Sequence, residues 1–298
     1  MSFTHNKKNI IKSIQMAKQK GATYRLGPEL EICGYTCEDH FFEADTVRHS
    51  WEVLRDLLED PSLTNDILCC FGMPVRRNGV LYNCNVFCLN QEIVLIRPKL
   101  HLAGGDNYRE ARWFRPWVED GGYAVVDFEL PDIIHSIKGQ KTVKFGQAVV
   151  KCNDTEIASE LCEEIWVNEC PHVQYCLDGV EIISNSSGSH HELRKCAGRL
   201  KMLTQASQKH SCVYMYSNLK GGDGGRLYFD GSSLIAMNGD VFAKASQFAV
   251  EDVEVETACL DIEQVRFARA NKSSRRTQAS NARHFERVRA NINICRPV

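Results

Sequence analysis

The sequence predicts an α/β fold in which helices cover a mixed β-sheet, and three observations lead to this class. Helical and strand patterns alternate in the first part of the chain. Two Asn-Gly dipeptides, Asn78-Gly79 and Asn238-Gly239, each join apolar runs in the manner of β-hairpins. The chain has 298 residues and is 43% hydrophobic, which is enough for a substantial core, and we interpret it as one domain.

The residue patterns in the first third of the chain predict two helices and four strands. Ile10, Ile14 and Ala17 share one face of a helix over Asn6–Lys20, which Gly21 ends. A second helix is predicted by apolar residues at helical spacing, namely Val47, Trp51, Leu54 and Leu58. The predicted strands are Ala22–Leu26, Ile67–Val75, Val80–Leu89 and Glu92–Arg97.

The remainder of the chain predicts further strands around one long helix. A helix extends from Leu193 to about Lys209, after the polar loop Asn185–His191. The predicted strands are Lys144–Val150, Val180–Ser184, Cys212–Ser217, Tyr228–Met237, Val241–Ala245 and Val253–Ile262.

The last segment, residues 271–298, is basic and has no apolar periodicity. The segment contains one acidic residue, Glu286, and seven basic residues, which are Lys272, Arg275, Arg276, Arg283, Arg287, Arg289 and Arg296. Because no aromatic residues are interleaved with this charge, a solvated tail or linker is favoured over a nucleic-acid contact.

Composition and charge disfavour several classes of protein, namely nucleic-acid-binding, disulfide-rich and membrane proteins. A net charge of −2 and a pI near 6.6 give no overall attraction to nucleic acid or to an anionic membrane. The 14 cysteines are scattered through apolar strands, which favours reduced thiols over a disulfide scaffold. The first residues contain no apolar signal-peptide core, and no window is long enough to cross a membrane, so a cytoplasmic location is expected.

Three ionisable residues form the candidate catalytic site. Glu29 and Lys99 each follow a proline that ends a predicted strand, and Cys162 precedes a short helix predicted over Glu163–Val167. A cysteine, a glutamate and a lysine suffice for amide hydrolysis, as nucleophile, proton shuttle and oxyanion stabiliser respectively. Backbone N–H groups at the helix start are expected to favour the thiolate of Cys162.

Each of these residues also has an ordinary structural interpretation. Among so many cysteines, Cys162 taken alone fits a buried core residue, and an acid or base beside proline is common at turns. A zinc protein is disfavoured, because Cys33 with Cys37, and Cys84 with Cys88, do not form two close pairs at finger spacing. No metal site is therefore predicted.

Longer strings around these residues resemble a known family. They are LGPELEICGY (26–35), GMPV (72–75), LIRPK (95–99), NYRE (107–110), CEEIW (162–166) and LDGVEIISNSSGSHHELRK (177–195). The Glu, Lys and Cys motifs are similar to those of the carbon–nitrogen hydrolase, or nitrilase, superfamily. The strings look like the amino-terminal glutaminase domain of eukaryotic-type glutamine-dependent NAD synthetases.

The resemblance implies a fold and a domain plan. It implies the four-layer αββα sandwich of the superfamily, with a hydrolase domain over residues 1–270 and the basic tail or linker over 271–298. Chains of the family begin with a strand ahead of the first helix, so the first strand is expected to be missing here. The carboxyl-terminal synthetase domain is expected to be absent.

The resemblance also implies roles for particular residues. Glu110 would support the triad, and the substrate-binding residues would be Tyr108, Glu163, Ser189, Lys195 and Tyr35, with Trp166 as a further wall of the pocket. Lys195 falls where bacterial relatives carry an arginine for the substrate carboxylate. Because Arg194 is its neighbour, both residues stay open for that role.

The implied reaction releases ammonia from L-glutamine for a synthetase domain that converts deamido-NAD to NAD. No cofactor is implied for the glutaminase part, and ATP and Mg²⁺ are implied only for the synthetase domain. Gly221–Gly225 lacks the spacing and the strand-to-helix setting of a phosphate loop and is interpreted as a loop near the pocket. A homo-oligomer is expected, and the alternatives are a stand-alone amidase of the superfamily or a truncated, non-catalytic module.

Overall fold

The computed structural model describes residues 1–105 and 107–295, which form two large mixed β-sheets, two small two-stranded sheets and flanking helices. In chain order the strands are β1 (Tyr24–Leu26), β2 (Leu68–Arg77), β3 (Val80–Leu89), β4 (Glu92–Pro98), β5 (Gly104–Gly105), β6 (Tyr108–Arg109), β7 (Val125–Glu129), β8 (Thr142–Gly146), β9 (Val149–Lys151), β10 (Glu156–Leu161), β11 (Ile182–Ser187), β12 (Val213–Asn218), β13 (Lys220–Gly222), β14 (Tyr228–Asp230), β15 (Leu234–Met237), β16 (Asp240–Lys244) and β17 (Arg287–Arg289).

Helices flank these strands and connect them. The α-helices are α1 (Phe3–Gln19), α2 (Ala44–Glu59), α3 (Pro61–Thr64), α4 (Glu110–Trp113), α5 (Asp132–Lys138), α6 (Pro171–Leu177), α7 (Lys195–His210), α8 (Glu263–Ala270) and α9 (Ser273–Ala279). Short 3₁₀ segments occupy Glu38–Phe42, Glu119–Gly122 and Cys162–Ile165. None of the helices in the described part of the chain has the length and apolar character that crossing a bilayer requires.

The two large sheets stack face to face. One has the order β1-β2-β3-β4-β8-β7 and the other β16-β15-β12-β11-β10-β9-β17. Apolar side chains of both sheets, such as Phe87 from β3 and Ile157 from β10, form a shared core between them. A second apolar cluster joins α1, α2 and α5 to the first sheet, and a third joins α6 and α7 to the second sheet. The predicted four-layer αββα sandwich is confirmed.

Several predicted elements are confirmed. The Asn78-Gly79 turn joins β2 to β3 in antiparallel register, with Arg77 opposite Val80. Helix α2 begins at Ala44 and ends at Glu59, around the predicted apolar face. Strand β4 ends at Pro98, directly before Lys99.

Three strand predictions are wrong, because two of the predicted strands are divided and the third does not form. The run Lys144–Val150 divides into β8 and β9, which belong to different sheets. The break falls at Gly146, whose φ of +144° and proximity to the Ala124 carbonyl oxygen exclude a side chain. Tyr228–Met237 likewise divides into β14 and β15, and Val253–Ile262 forms no strand but leads into α8.

The basic segment 271–295 is largely exposed, as expected of a solvated tail, but it is folded and its strand pairs with the second sheet. Arg287–Arg289 forms β17, which pairs in parallel with β9 at the edge of the second sheet. Phe285 and Ala290 are buried, and the Arg275 guanidinium donates to the Cys176 carbonyl. Arg287 pairs with Glu156 and Asp178, so internal acids and carbonyls offset the charge of this segment. Arg296 lies outside the described residues.

Candidate active site

The three candidate catalytic residues lie where strands of the two sheets end. Glu29 follows β1, Lys99 follows β4, and Cys162 follows β10 as the first residue of a 3₁₀ turn. The backbone at Pro28–Leu30 crosses β2 at Gly72, where an added Cβ would lie 2.3 Å from the Leu30 nitrogen. Only glycine permits this approach, which carries Glu29 toward the second sheet.

A chain of short hydrogen bonds joins Glu29, Lys99 and Glu110. The Lys99 Nζ donates to Glu29 Oε1 at 2.6 Å and to Glu110 Oε1 at 2.7 Å. The side chains of Glu29 and Lys99 are fully buried, and that of Glu110 is 2% exposed. One ammonium between two carboxylates satisfies the charges that burial would otherwise make costly.

Other groups hold these carboxylates in place. The Asn83 amide donates to Glu29 Oε1 at 2.7 Å, and the Gly188 N–H donates to Glu29 Oε2 at 3.0 Å. The Ala103 N–H and the Tyr35 hydroxyl both donate to Glu110. Asn83 and the Gly188 N–H were not predicted, because both meet Glu29 only through pairing that is distant in sequence.

The thiol of Cys162 is neutral at physiological pH, contrary to the predicted thiolate. Burial raises the pKa of this thiol to about 12, and the charges of Glu29 and Glu110 add to the increase. Lys99 and the Gly188 N–H act in the opposite direction but do not offset it. A neutral thiol needs a nearby base before it can act as a nucleophile.

The pKa shifts of Glu29 and Lys99 are suited to a proton transfer from the thiol to Glu29. Burial raises the pKa of Glu29, and the charge of Glu110 adds to this while Lys99 opposes it. Burial alone would lower the pKa of Lys99, but Glu110 and Glu29 outweigh burial and raise it. Glu29 is thus a stronger base than an exposed glutamate, and Lys99 remains an ammonium.

A cavity of about 210 Å³ opens at Glu163, the residue after Cys162, and Glu29, Lys99 and Cys162 are not among its lining residues. It is lined by Gly104, Gly105, Asn107, Tyr108, Glu163, His190, Glu192 and Lys195. The Tyr108 hydroxyl donates to the Gly188 carbonyl and accepts from the His190 N–H, both at 3.0 Å. Tyr108 thereby connects the cavity wall to the loop that carries the Gly188 N–H.

The cavity contains opposite charges close together. Glu163 is half-buried, and burial raises its pKa. The Lys195 Nζ lies 5.8 Å from the centre of the Tyr108 ring and 5.9 Å from that of Trp166. Of the two alternatives left open by the sequence, Lys195 lines the cavity, whereas Arg194 is exposed and is not among the lining residues.

Two of the predicted substrate residues lie behind the cavity wall. The Ser189 hydroxyl accepts from Arg199 at 3.2 Å and is buried. Tyr35 is also buried, with its hydroxyl on Glu110 and its ring against Gly188. Their contacts are with protein groups of the site, so they shape the wall from behind.

Metal and phosphate sites were also sought in the residues that the structure describes. No group of three or more His, Cys, Asp or Glu side chains among residues 1–105 and 107–295 is arranged to hold a metal ion. The Gly221–Gly225 segment comprises the end of β13 and the start of the turn that leads to β14, and not a turn between a strand and a helix. The described residues therefore do not fit ATP with Mg²⁺ at this segment.

The sequence is similar to those of known proteins. The family model described as carbon-nitrogen hydrolase matches residues 1–270. A glutamine-dependent NAD(+) synthetase of Macaca fascicularis is 52% identical over 292 residues, which are 98% of this chain and 41% of that relative. One from Dictyostelium discoideum is 51% identical over 294 residues, which are 99% of this chain and 41% of that relative. The chain spans about two fifths of the length of these curated relatives.

Solved structures of other proteins share the fold of this chain. A glutamine-dependent NAD(+) synthetase from Cytophaga hutchinsonii aligns with a TM-score of 0.74 and 27% identity, over 90% of this chain and 42% of that chain. An amidase from Nesterenkonia sp. aligns with a TM-score of 0.66 and 16% identity, over 92% of this chain and 89% of that chain, and shows a shared fold alone. From the match over residues 1–270 and the shared sandwich, the chain belongs to the carbon-nitrogen hydrolase family.

Proposed function

We propose that the chain hydrolyses the side-chain amide of L-glutamine, with Cys162 as the nucleophile, Glu29 as the proton shuttle and Lys99 as the oxyanion stabiliser. The observation that carries this proposal is the buried Glu29–Lys99–Glu110 hydrogen-bond chain beside Cys162. A buried base and a buried cation beside a neutral thiol are the groups that amide hydrolysis requires.

The first half of the reaction breaks the amide. Glu29 takes the proton from Cys162 Sγ as the sulfur attacks the amide carbon. The carbonyl oxygen becomes an oxyanion, which Lys99 stabilises because its ammonium is fixed between Glu29 and Glu110 before substrate binds. When the tetrahedral intermediate collapses, Glu29 gives its proton to the leaving nitrogen, and ammonia departs from a γ-glutamyl thioester.

The second half regenerates the enzyme. Glu29 is again a carboxylate, and it takes a proton from a water molecule that attacks the thioester. Lys99 stabilises the second oxyanion as it did the first. Collapse releases glutamate, and the proton held by Glu29 returns to Cys162 Sγ. In both halves Glu29 thus acts first as a base and then as an acid, and Lys99 stabilises the oxyanion.

The charges of the cavity favour an amino-acid amide over a simple amide. Glu163, Glu192 and Lys195 line the same cavity, and the Lys195 Nζ lies 3.8 Å from Glu192 Oε2. A free amino acid carries an α-ammonium and an α-carboxylate on one carbon, which Glu163 and Lys195 complement. We assign Glu163 to the ammonium and Lys195 to the carboxylate, with Tyr108 on the cavity wall and Ser189 and Tyr35 supporting it from behind.

We further propose that the released ammonia serves a synthetase domain that makes NAD from deamido-NAD. The relatives named glutamine-dependent NAD(+) synthetase extend well beyond the part that this chain covers. ATP and Mg²⁺ would be bound by that domain. The hydrolase residues described above need neither.

Substrate preference tests the proposed function. The purified chain should hydrolyse L-glutamine with a kcat/KM about 10²-fold or more above that of propionamide, because propionamide lacks both charged groups that Glu163 and Lys195 bind. Ammonia release is the measurement, with glutamate as its matched product. Equal hydrolysis of the two amides would instead favour a stand-alone amidase.

The pH dependence of kcat/KM tests the role of Glu29. Protonation removes the base, so activity falls as the pH drops through the pKa of Glu29. Because burial raises that pKa, the acidic limb should lie above pH 4.5, the ordinary value for glutamate. A rate profile recorded for the native chain and for Glu163→Gln measures this. The limb should persist in the variant, and a limb at or below pH 4.5 would contradict the assignment.

A further inference from the structure

The residue after Glu163 has a different position and suggests a different role. Glu164 is fully buried and does not line the cavity. We propose that Glu164, held by Arg97, is a positioning residue that fixes Cys162 relative to Lys99 through their backbones. This inference rests on the proposed function, since it assigns a role in the same hydrolytic site.

One carboxylate group contacts the chain beside both catalytic candidates. The Glu164 Oε2 accepts a hydrogen bond from the Leu161 N–H at 2.9 Å, and Leu161 directly precedes Cys162. The Glu164 Oε1 accepts from the Leu100 N–H, and Leu100 directly follows Lys99. The carboxylate therefore joins the end of β10 to the end of β4, which belong to different sheets.

Arg97 makes this junction rigid. Its guanidinium nitrogen lies 2.7 Å from Glu164 Oε1 and 2.6 Å from Glu164 Oε2, and both side chains are completely inaccessible. In this buried site the carboxylate lies against the opposite charge of Arg97 and accepts from both N–H groups at once. Arg97 itself belongs to β4, two residues before Lys99, so the clamp is anchored in a central strand of the first sheet.

The backbone at Cys162 needs such support. Cys162 has a φ of +37°, a left-handed conformation that is strained for a residue with a Cβ. Strain of this kind persists only where surrounding contacts determine the backbone. The Leu161 N–H belongs to the residue directly before Cys162, and Glu164 is its acceptor. Without this acceptor, the turn can relax and move the sulfur away from Glu29 and Lys99.

Replacing Glu163 and replacing Glu164 should therefore change different kinetic constants. Glu163 lines the cavity, so its loss should act mainly on substrate binding. Glu164 is not among the residues that line this cavity, so its loss should act mainly on the chemical step. Displacement of a reacting group by about 1 Å costs roughly 10²-fold in rate.

The test compares Glu164→Gln with the native chain at a temperature where both are folded, as judged by thermal unfolding. We expect kcat for glutamine hydrolysis to fall about 10²-fold with little change in KM. The rate of Cys162 alkylation by iodoacetamide, read from the mass of its peptide, should fall as well. The alkylation does not depend on which amide is the substrate, so it distinguishes a failure of this inference from a failure of the proposed function.

Arg269→Lys is the matched control for general loss of stability. Arg269 is a buried arginine that donates to the carbonyls of Gly179, Val180 and Ser211. These residues lie before β11 and β12, at the opposite ends of those strands from Ser187 and Asn218. Its replacement should lower the unfolding temperature while kcat and Cys162 alkylation stay at native values.

Two results decide the inference. A folded Glu164→Gln variant with native kcat and native Cys162 alkylation overturns it. If Glu164→Gln does not fold, Glu164→Asp decides instead, because aspartate keeps the charge beside Arg97 but is too short to reach both N–H groups. The same loss of kcat and alkylation in that variant supports the clamp, and native values overturn it.

Discussion

Replacement of Cys162 by serine is expected to reduce ammonia release from glutamine by about 10⁴-fold or more, the scale on which hydrolytic triad members are lost. A serine hydroxyl gives up its proton far less readily than a thiol. Even for the thiol, burial raises the pKa to about 12, so Glu29 is already working against a difficult proton transfer. The measurement is the initial rate of ammonia formation at saturating glutamine.

A variant of another cysteine, Cys170, controls for simple loss of a sulfur atom. Cys170 is half-buried, and its Sγ donates to the Val167 carbonyl at 2.8 Å, a bond that a serine hydroxyl can also make. Cys170→Ser should therefore keep the native rate. Retained turnover in Cys162→Ser would remove the nucleophile from the proposed mechanism.

The second large effect is expected for Lys99→Met, in which kcat for glutamine should fall by about 10²–10³-fold, the usual consequence of losing one oxyanion donor. Methionine is close to lysine in length, so the change removes the charge and leaves most of the volume. Glu29 and Glu110 then share a buried site without the cation that now lies 2.6 Å and 2.7 Å from them. Their mutual repulsion raises the pKa of Glu29, and the acidic limb of kcat/KM should move to higher pH.

Lys18→Met gives a matched control. The Lys18 Nζ donates to the Ser62 and Asn65 carbonyls next to α1 and α3, outside the residues of the site. This variant should retain native kcat and the native pH limb. If Lys99→Met instead changed only the KM for glutamine, Lys99 would be a binding residue and would not stabilise the oxyanion.

The layers of the fold could be predicted, because they follow from local patterns and a family resemblance. The hairpin at Asn78-Gly79 and the apolar face of α2 need only turn chemistry and helical spacing, and both are present. The run Lys144–Val150 could not be divided from its sequence, since an apolar stretch looks the same in one strand or two. Only the close approach of Gly146 to Ala124 shows where the chain passes from one sheet to the other.

The basic segment illustrates a limit of charge patterns. A row of arginines without apolar periodicity is typical of a solvated tail. Here the partners of Arg287 are Glu156 and Asp178, more than a hundred residues earlier in the chain. Composition shows the charge of a segment, but the acids that face it are set by tertiary structure.

Some residues of the candidate site could be predicted from the sequence, and others could not. Glu29, Lys99 and Cys162 could be predicted because each sits next to a local signal, either a proline or a short helix start. Asn83 and the Gly188 N–H could not, because they reach Glu29 only through the packed sheets. The thiolate prediction for Cys162 was wrong because complete burial and two nearby carboxylates outweigh one ammonium and one N–H group.

Detection of the covalent intermediate tests the central claim most directly. The native chain, in excess over glutamine, is mixed, quenched in acid at successive times and digested for mass spectrometry. The proposed mechanism predicts that the peptide containing Cys162 gains one glutamyl group before glutamate reaches its final level, and that Cys162→Ser never shows this gain. Glutamate formation with no glutamyl group on Cys162 at any time, or with the group on another cysteine such as Cys170, would contradict it.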